Sequence, residues 1–276
     1  MRKLIVVVVG LAALVGVLAT ATGISLSPLL TDIVLPLGAT YSDAIYITNT
    51  GDKPMVVSAQ AVGYIMEDGV PRFLDPAKDT YPYSGKDLLT IEPAELTVQP
   101  GESVTFTYRL SMPEDLTPYG GRYVAAVFWV KPKAESEAQV MVSARVASLF
   151  LINPGGDVAP HLKFENLKIY QSPIHPRTVV LEAQITNDGK VHLNSDQVAG
   201  RVFVTDEDGY FLDEFNFCAH HIILLPGNVR IRQTTWEVPE DLPSGVYQFH
   251  LDILVFGPAG TEPQRYLFSA PVELNF

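Results

Sequence analysis

Twice this chain spells nearly the same phrase, MPEDLTPYGGRYVAAVFW from Met112 and VPEDLPSGVYQFHLDILVF from Val238. A Pro-Glu-Asp-Leu turn, a Gly-x-Tyr and a long apolar run recur together when one structural unit is built twice. The repeat is also wider than the phrase. ITNTGDK begins at Ile47 and ITNDGKV at Ile185, while VQPGESVTFTYRL begins at Val98 and LLPGNVRIRQTTW at Leu224. Corresponding positions are offset by 138 (Ile47 to Ile185), 126 (Val98 to Leu224 and Met112 to Val238) and 124 residues (Gly121 to Gly245), always in the same order. Loops of slightly different length account for the drift, so the sequence predicts two copies of one domain.

Inside each copy the apolar period is two. Val179, Leu181, Ala183 and Ile185 alternate with Val180, Glu182, Gln184 and Thr186, and Tyr247, Phe249, Leu251, Ile253 and Val255 alternate with more polar neighbours. This alternation marks strands with one face on a core. Turn signals separate the runs at Asn49 to Gly51, Glu67 to Gly69, Pro100-Gly101, Asn187 to Gly189, Asp206 to Gly209 and Pro226-Gly227. No helical stripe interrupts them after the first residues. The expectation is an all-β chain of two tandem immunoglobulin-like β-sandwiches, residues 22–152 and 161–276, each of about seven strands. The linker, 153–160, reads NPGGDVAP, a short Pro- and Gly-rich hinge. In such sandwiches a Tyr near the start of the penultimate strand often bonds back to the preceding corner. Tyr123 and Tyr247 stand where that corner falls, so the doubled phrase predicts architecture rather than catalysis.

The first 21 residues have Arg2 and Lys3, an apolar run from Leu4 to Leu18, and Ala19, Thr20, Ala21. That is the layout of a secretory signal peptide cleaved after Ala21, or, if uncleaved, of a membrane anchor. Either way the remainder is expected outside the cytoplasm, periplasmic or at the cell surface. A formal net charge of −12 excludes the basic footprint that nucleic acid requires. The single cysteine, Cys218, can form no internal disulfide and reads as a small buried hydrophobe.

Catalytic motifs are missing from the sequence. It contains no phosphate-binding Gly loop, no H-E-x-x-H, no G-x-S-x-G and no paired cysteines at metal spacing. His220 and His221 are adjacent, so on a strand they point to opposite sides and do not make a metal site. TDEDGYFLDE, from Thr205, is acidic but lacks calcium-loop spacing; Asp208-Gly209 reads as a hairpin, as does MEDGV from Met66. No enzyme, metal or cofactor is expected. The most informative stretch is AQVMVSARVASLFLINPGG, in which Val140, Val142, Ala144, Val146, Phe150 and Ile152 share one face, and polar residues on the other give way to Leu149 and Leu151. Two readings stay open: its end is buried by the second domain, or it is an edge strand that pairs with a partner.

In order, ISLSPLLTDIVLPLGATYSDAIYITNTGDKP, LLTIEPAELTVQPGESVTFTYRL, GGRYVAAVFWVKP and SARVASLFLINP resemble the N-terminal domain of the PapD-like periplasmic pilus chaperones. The second copy, with ITNDGKVHLNSDQVAGRVFVTDEDG and LLPGNVRIRQTTWEVPEDLPSGVY, is similar to the immunoglobulin-like domains of WxL-interacting surface proteins. The first resemblance implies an exported chaperone that lends an edge strand to an incomplete subunit and anchors the subunit's terminal carboxylate with a basic pair. This chain departs from that pair: Ile24 to Leu35 has no Arg or Lys, and Ser148 stands where the second basic residue is sought, with only Arg145 nearby. The expected function is therefore a non-enzymatic, chaperone-like module in the assembly of surface or pilus-type proteins. It would bind another exported protein through Val140, Val142, Ala144, Arg145, Val146, Leu149 and Leu151. The alternative is a structural or adhesive envelope protein that binds polysaccharide or its own copies, with Tyr81, Tyr83 and Tyr119 as stacking platforms.

Overall fold

The computed structural model describes residues 23–133, 143–156, 158–194, 197–217, 223–257 and 262–276. Of the residues singled out above, 1–21, Val140, Val142, Cys218, His220 and His221 lie outside them.

The chain is all-β, as the alternation predicts. In the first half the strands are β1 (Ile24–Ser27), β2 (Leu30–Val34), β3 (Thr40–Asn49), β4 (Met55–Glu67), β5 (Val70–Phe73), β6 (Leu89–Glu92), β7 (Glu95–Val98), β8 (Ser103–Ser111), β9 (Arg122–Pro132) and β10 (Ala144–Asn153). They form a four-stranded sheet, β1-β3-β8-β6, facing a six-stranded one, β2-β10-β9-β4-β5 with β7 also on β4. Between the sheets lies a core that includes Ile45, Ile47, Phe106, Leu110, Val124, Phe128, Phe150 and Ile152. The second half has β11 (Leu162–Gln171), β12 (Thr178–Asn187), β13 (Leu193–Asn194), β14 (Val198–Thr205), β15 (Phe211–Asn216), β16 (Ile223–Leu224), β17 (Val229–Glu237), β18 (Gly245–Val255) and β19 (Gln264–Leu274). Its sheets are β11-β12-β17, β15-β14-β18-β19 and the two-stranded β13-β16. Leu181, Ile185, Val202, Phe217, Trp236, Phe249, Leu251 and Ile253 fill the core.

The repeated residues make a staple that is the same in both halves. Asn49 is fully buried; its Nδ2 donates to the carbonyls of Lys53 (2.8 Å) and Val98 (3.2 Å), and its Oδ1 accepts from Gly51 N–H (2.9 Å). Asn187, equally buried, donates to Val191 and Leu224 (both 2.8 Å) and accepts from Gly189 (3.0 Å). The backbone completes the match: Gly101 N–H reaches the Asn49 carbonyl at 2.8 Å and Gly227 N–H the Asn187 carbonyl at 2.7 Å. Both glycines have φ near +75°, a conformation a side chain would strain. The N-x-G and P-G phrases thus recur because each Asn ties one turn to the other.

The two tyrosines of the repeat part company. Tyr247 donates its hydroxyl to the Pro243 carbonyl at 2.6 Å, four residues back. For Tyr123 the corner bond is corrected: its hydroxyl lies 3.5 Å from His192 Nδ1 in the second half, because the ring is enclosed by the junction between the sandwiches. In the acidic TDEDG loop, β14 and β15 pair antiparallel and the Asp206 carboxylate accepts from Tyr210 N–H at 2.8 Å.

Candidate functional site

The first strand determines where the site lies. Ile24 to Leu35 reads as one strand in sequence, but Pro28, which has no N–H to give a ladder, divides it, and the chain crosses from one sheet to the other. β1 pairs with Tyr46–Asn49 of β3, and β2 runs parallel to Leu149–Asn153 of β10. Each of these long strands is covered over only half of one side, which leaves Thr40–Ile45 of β3 and Ala144–Ser148 of β10 as half-edges.

These half-edges are not equivalent. On β3 the outward N–H of Ala44 is taken by the Asp43 carboxylate at 2.8 Å, and Tyr41 O–H holds the other oxygen at 3.0 Å. The same device guards β15, where Asp213 accepts from the outward Glu214 N–H at 2.8 Å. A charge turned onto an edge repels a would-be partner strand. β10 carries no such guard among the described residues. Leu149 N–H points to Leu29 O (2.9 Å), so by the two-residue period Arg145 and Ala147 turn their N–H and C=O groups to the same side, which no strand pairs here among the described residues.

On the outward face of the sheet the register sets Arg145 opposite Trp129, Ala147 opposite Val127, Leu149 opposite Ala125 and Leu151 opposite Tyr123. The Arg145 guanidinium sits 4.9 Å from the Phe73 ring centroid and 5.2 Å from that of Trp129. Trp129 keeps 40% of its surface exposed. Exposed Trp and Arg beside an open edge make up the residue types that dominate protein–protein binding energy. Neither Trp129 nor Phe73 is singled out by the sequence, although a Trp in the outward phase of VAAVFWVKP was a readable signal.

The structure separates the residues expected to face a partner. Ala144, Arg145 and Val146 lie on the free half, Ala144 and Val146 turned toward the core. Leu149 and Leu151 do not lie there: β2 occupies their edge, and Leu151 is fully buried in a cluster with Tyr64, Tyr123 and Leu225 that seals the two sandwiches together. The stacking platforms are likewise corrected. Tyr81 donates to Pro226 O at 2.8 Å and stacks edge-on to Tyr83, and Tyr119 donates to Gly155 O at 2.9 Å, so these rings close the junction and the hinge. Arg122 does not complete a basic pair with Arg145 either. Arg122, the other arginine nearby, is 4% exposed and donates to the carbonyls of Pro118 (2.7 Å), Gly121 (2.8 Å) and Gly120 (3.2 Å). Burial pulls its pKa down, and the carbonyls, not a carboxylate, satisfy it.

Ser148 is fully buried and its hydroxyl finds no hydrogen-bond partner among the described residues. Ser148→Ala should therefore cost nothing or add up to about 1 kcal/mol of stability. Urea unfolding measures this, and a loss beyond about 1 kcal/mol would mean that the hydroxyl is bonded.

Asp32, on β2, ties the covering strand to the second sandwich. Its carboxylate meets His192 Nε2 at 3.2 Å and accepts from Asn194 Nδ2. Burial alone would raise the Asp32 pKa, but the hydrogen bond and charge of His192, with the Asn194 bond, bring it below the ordinary carboxylate value. A group depressed in this way stabilises the folded chain above its unfolded pKa, and the stabilisation is lost as pH falls through the folded one. The tie is thus expected to be intact at neutral pH and to release only below about pH 4. An NMR titration following the His192 ring should show this acid step, and Asp32→Asn should abolish it.

No family model matches the chain, and no curated protein matches it. Among solved structures it is similar in fold to the class 5 fimbriae chaperone CfaA, with 12% identity, a TM-score of 0.44, and 88% of this chain and 98% of that one covered. The YadV chaperone gives 12%, 0.40, 90% and 99%, and the E. coli chaperone DraB gives 11%, 0.41, 89% and 96%.

Proposed function

We propose that this chain is an exported, non-enzymatic assembly module that binds another exported protein by accepting one of its strands along the free half of β10. The observation that carries the reading is the difference between two half-edges opened by one crossover. β3 is closed by Asp43, whereas Arg145 and Ala147 of β10 leave their outward backbone groups unused among the described residues. Each backbone bond made there would contribute about 0.5 to 1.5 kcal/mol, and burial of the Trp129 face would add more. Export rests on the leader-like first 21 residues, and the periplasm or cell surface is the corresponding location.

Photo-crosslinking tests it. With a crosslinker in place of Ser143, exposed just before β10, a discrete exported protein should be captured; with the crosslinker in place of Ser42, beside the guarded β3 edge, it should not. Equal capture at both positions, or capture at neither, would refute the reading.

A further inference from the structure

We propose that Arg145 selects what docks: the free half of β10 takes an extended segment of another protein carrying an acidic side chain beside this guanidinium. The inference rests on the docking reading above. Arg145 is the sole charged residue in Ala144–Ser148, is exposed, and pairs with no carboxylate among the described residues. Its orientation is set instead by the Phe73 and Trp129 rings, one from β5 and one from β9. Rings of that kind hold a cation by its attraction to their π faces, without using its N–H donors. The donors stay available in the planar fork that matches a carboxylate.

The surroundings agree in sign. Lys131 follows Trp129 by one pleat on the same face, exposed and without an ion pair among the described residues, at the diagonal position to Arg145. Among the described residues the register brings two carboxylates to this face: Glu95, on β7 opposite Ser58 and three strands from β10, and Asp32, on β2 opposite Leu151 and held by His192 and Asn194. In a chain of formal net charge −12, the open end of this face is thus cationic among the described residues. A strand added at Arg145 and Ala147 would set a side chain about 5 Å, Cβ to Cβ, from Arg145, where an opposite charge is favoured and a like charge disfavoured.

The test uses the mature full chain and synthetic nonapeptides that alternate Val and Thr around a central Glu, Gln or Lys, read by fluorescence anisotropy with amide exchange at Ala147. The Glu peptide should bind about tenfold more tightly than the Gln peptide, and the Lys peptide more weakly still. Arg145→Gln should erase the preference, and Arg145→Lys should recover only part of it, since an ammonium lacks the fork. Equal binding of the Glu and Gln peptides that still protects Ala147 would overturn the selection and leave docking intact. If no peptide protects Ala147, or if Ala147→Pro binds all three as well as the parent, docking of an extended segment fails as well. Dimerisation of the peptide-free chain through Ala147 in sedimentation would assign the edge to a second copy instead.

Discussion

Asn187→Ala should lower the unfolding midpoint of the second sandwich by about 10 °C, and Asn49→Ala should do the same to the first. Each side chain gives two N–H bonds to carbonyls of separate turns and takes one from a glycine, at zero exposure. Truncation leaves those groups buried and unpaired, at about 1 to 3 kcal/mol apiece before relaxation, so a net loss of about 3 kcal/mol is expected. Asn→Asp should be no better, because it keeps the acceptor but turns an anion toward two carbonyl oxygens. Differential scanning calorimetry would register the loss in each variant. A shift of only a few degrees in both would mean that the matching bonds are incidental to the fold.

Ala147→Pro should leave the fold within about 1 kcal/mol of the parent, because the N–H it removes lies on the unpaired side, where an edge strand tolerates proline. Partner binding should nevertheless fall about a hundredfold, from a lost backbone bond and from the ring standing where the partner strand must lie. Two controls separate these effects. Val146→Pro takes an N–H from the ladder to β9 and should destabilise by about 3 kcal/mol or more. Ala44→Pro alters the edge already closed by Asp43 and should leave partner binding unchanged. Equal binding by the Ala147→Pro and parent chains, measured by calorimetry or surface plasmon resonance, would contradict strand addition.

What the sequence discloses follows from how local each cause is. The period of two, the turn glycines and the Asn of each N-x-G depend on neighbours and on one recurring turn, so the all-β sandwiches were legible. The crossover at Pro28 was not, because the choice of sheet for β2 depends on where β10 lies, more than a hundred residues later. Tyr123 and Tyr247 look alike in sequence, yet His192, 69 residues away, draws one hydroxyl out of its corner. His192 itself, flanked by Val191 and Leu193, gives no sign of the carboxylate it meets on β2. Arg145 was visible as a lone charge on an apolar strand, but the rings that hold it come from two other strands. Leu149 and Leu151 were misplaced for the same reason: an apolar run looks alike whether β2, a second sandwich or a partner covers it.

Residue-resolved amide exchange of the chain, alone and bound to the protein captured through Ser143, would show whether a partner strand adds to β10. Arg145 and Ala147 should exchange rapidly in the free chain while Val146 and Ser148 are protected, and all four should be protected in the complex. A complex in which the Arg145 and Ala147 amides still exchange as in the free chain would show that the partner binds elsewhere.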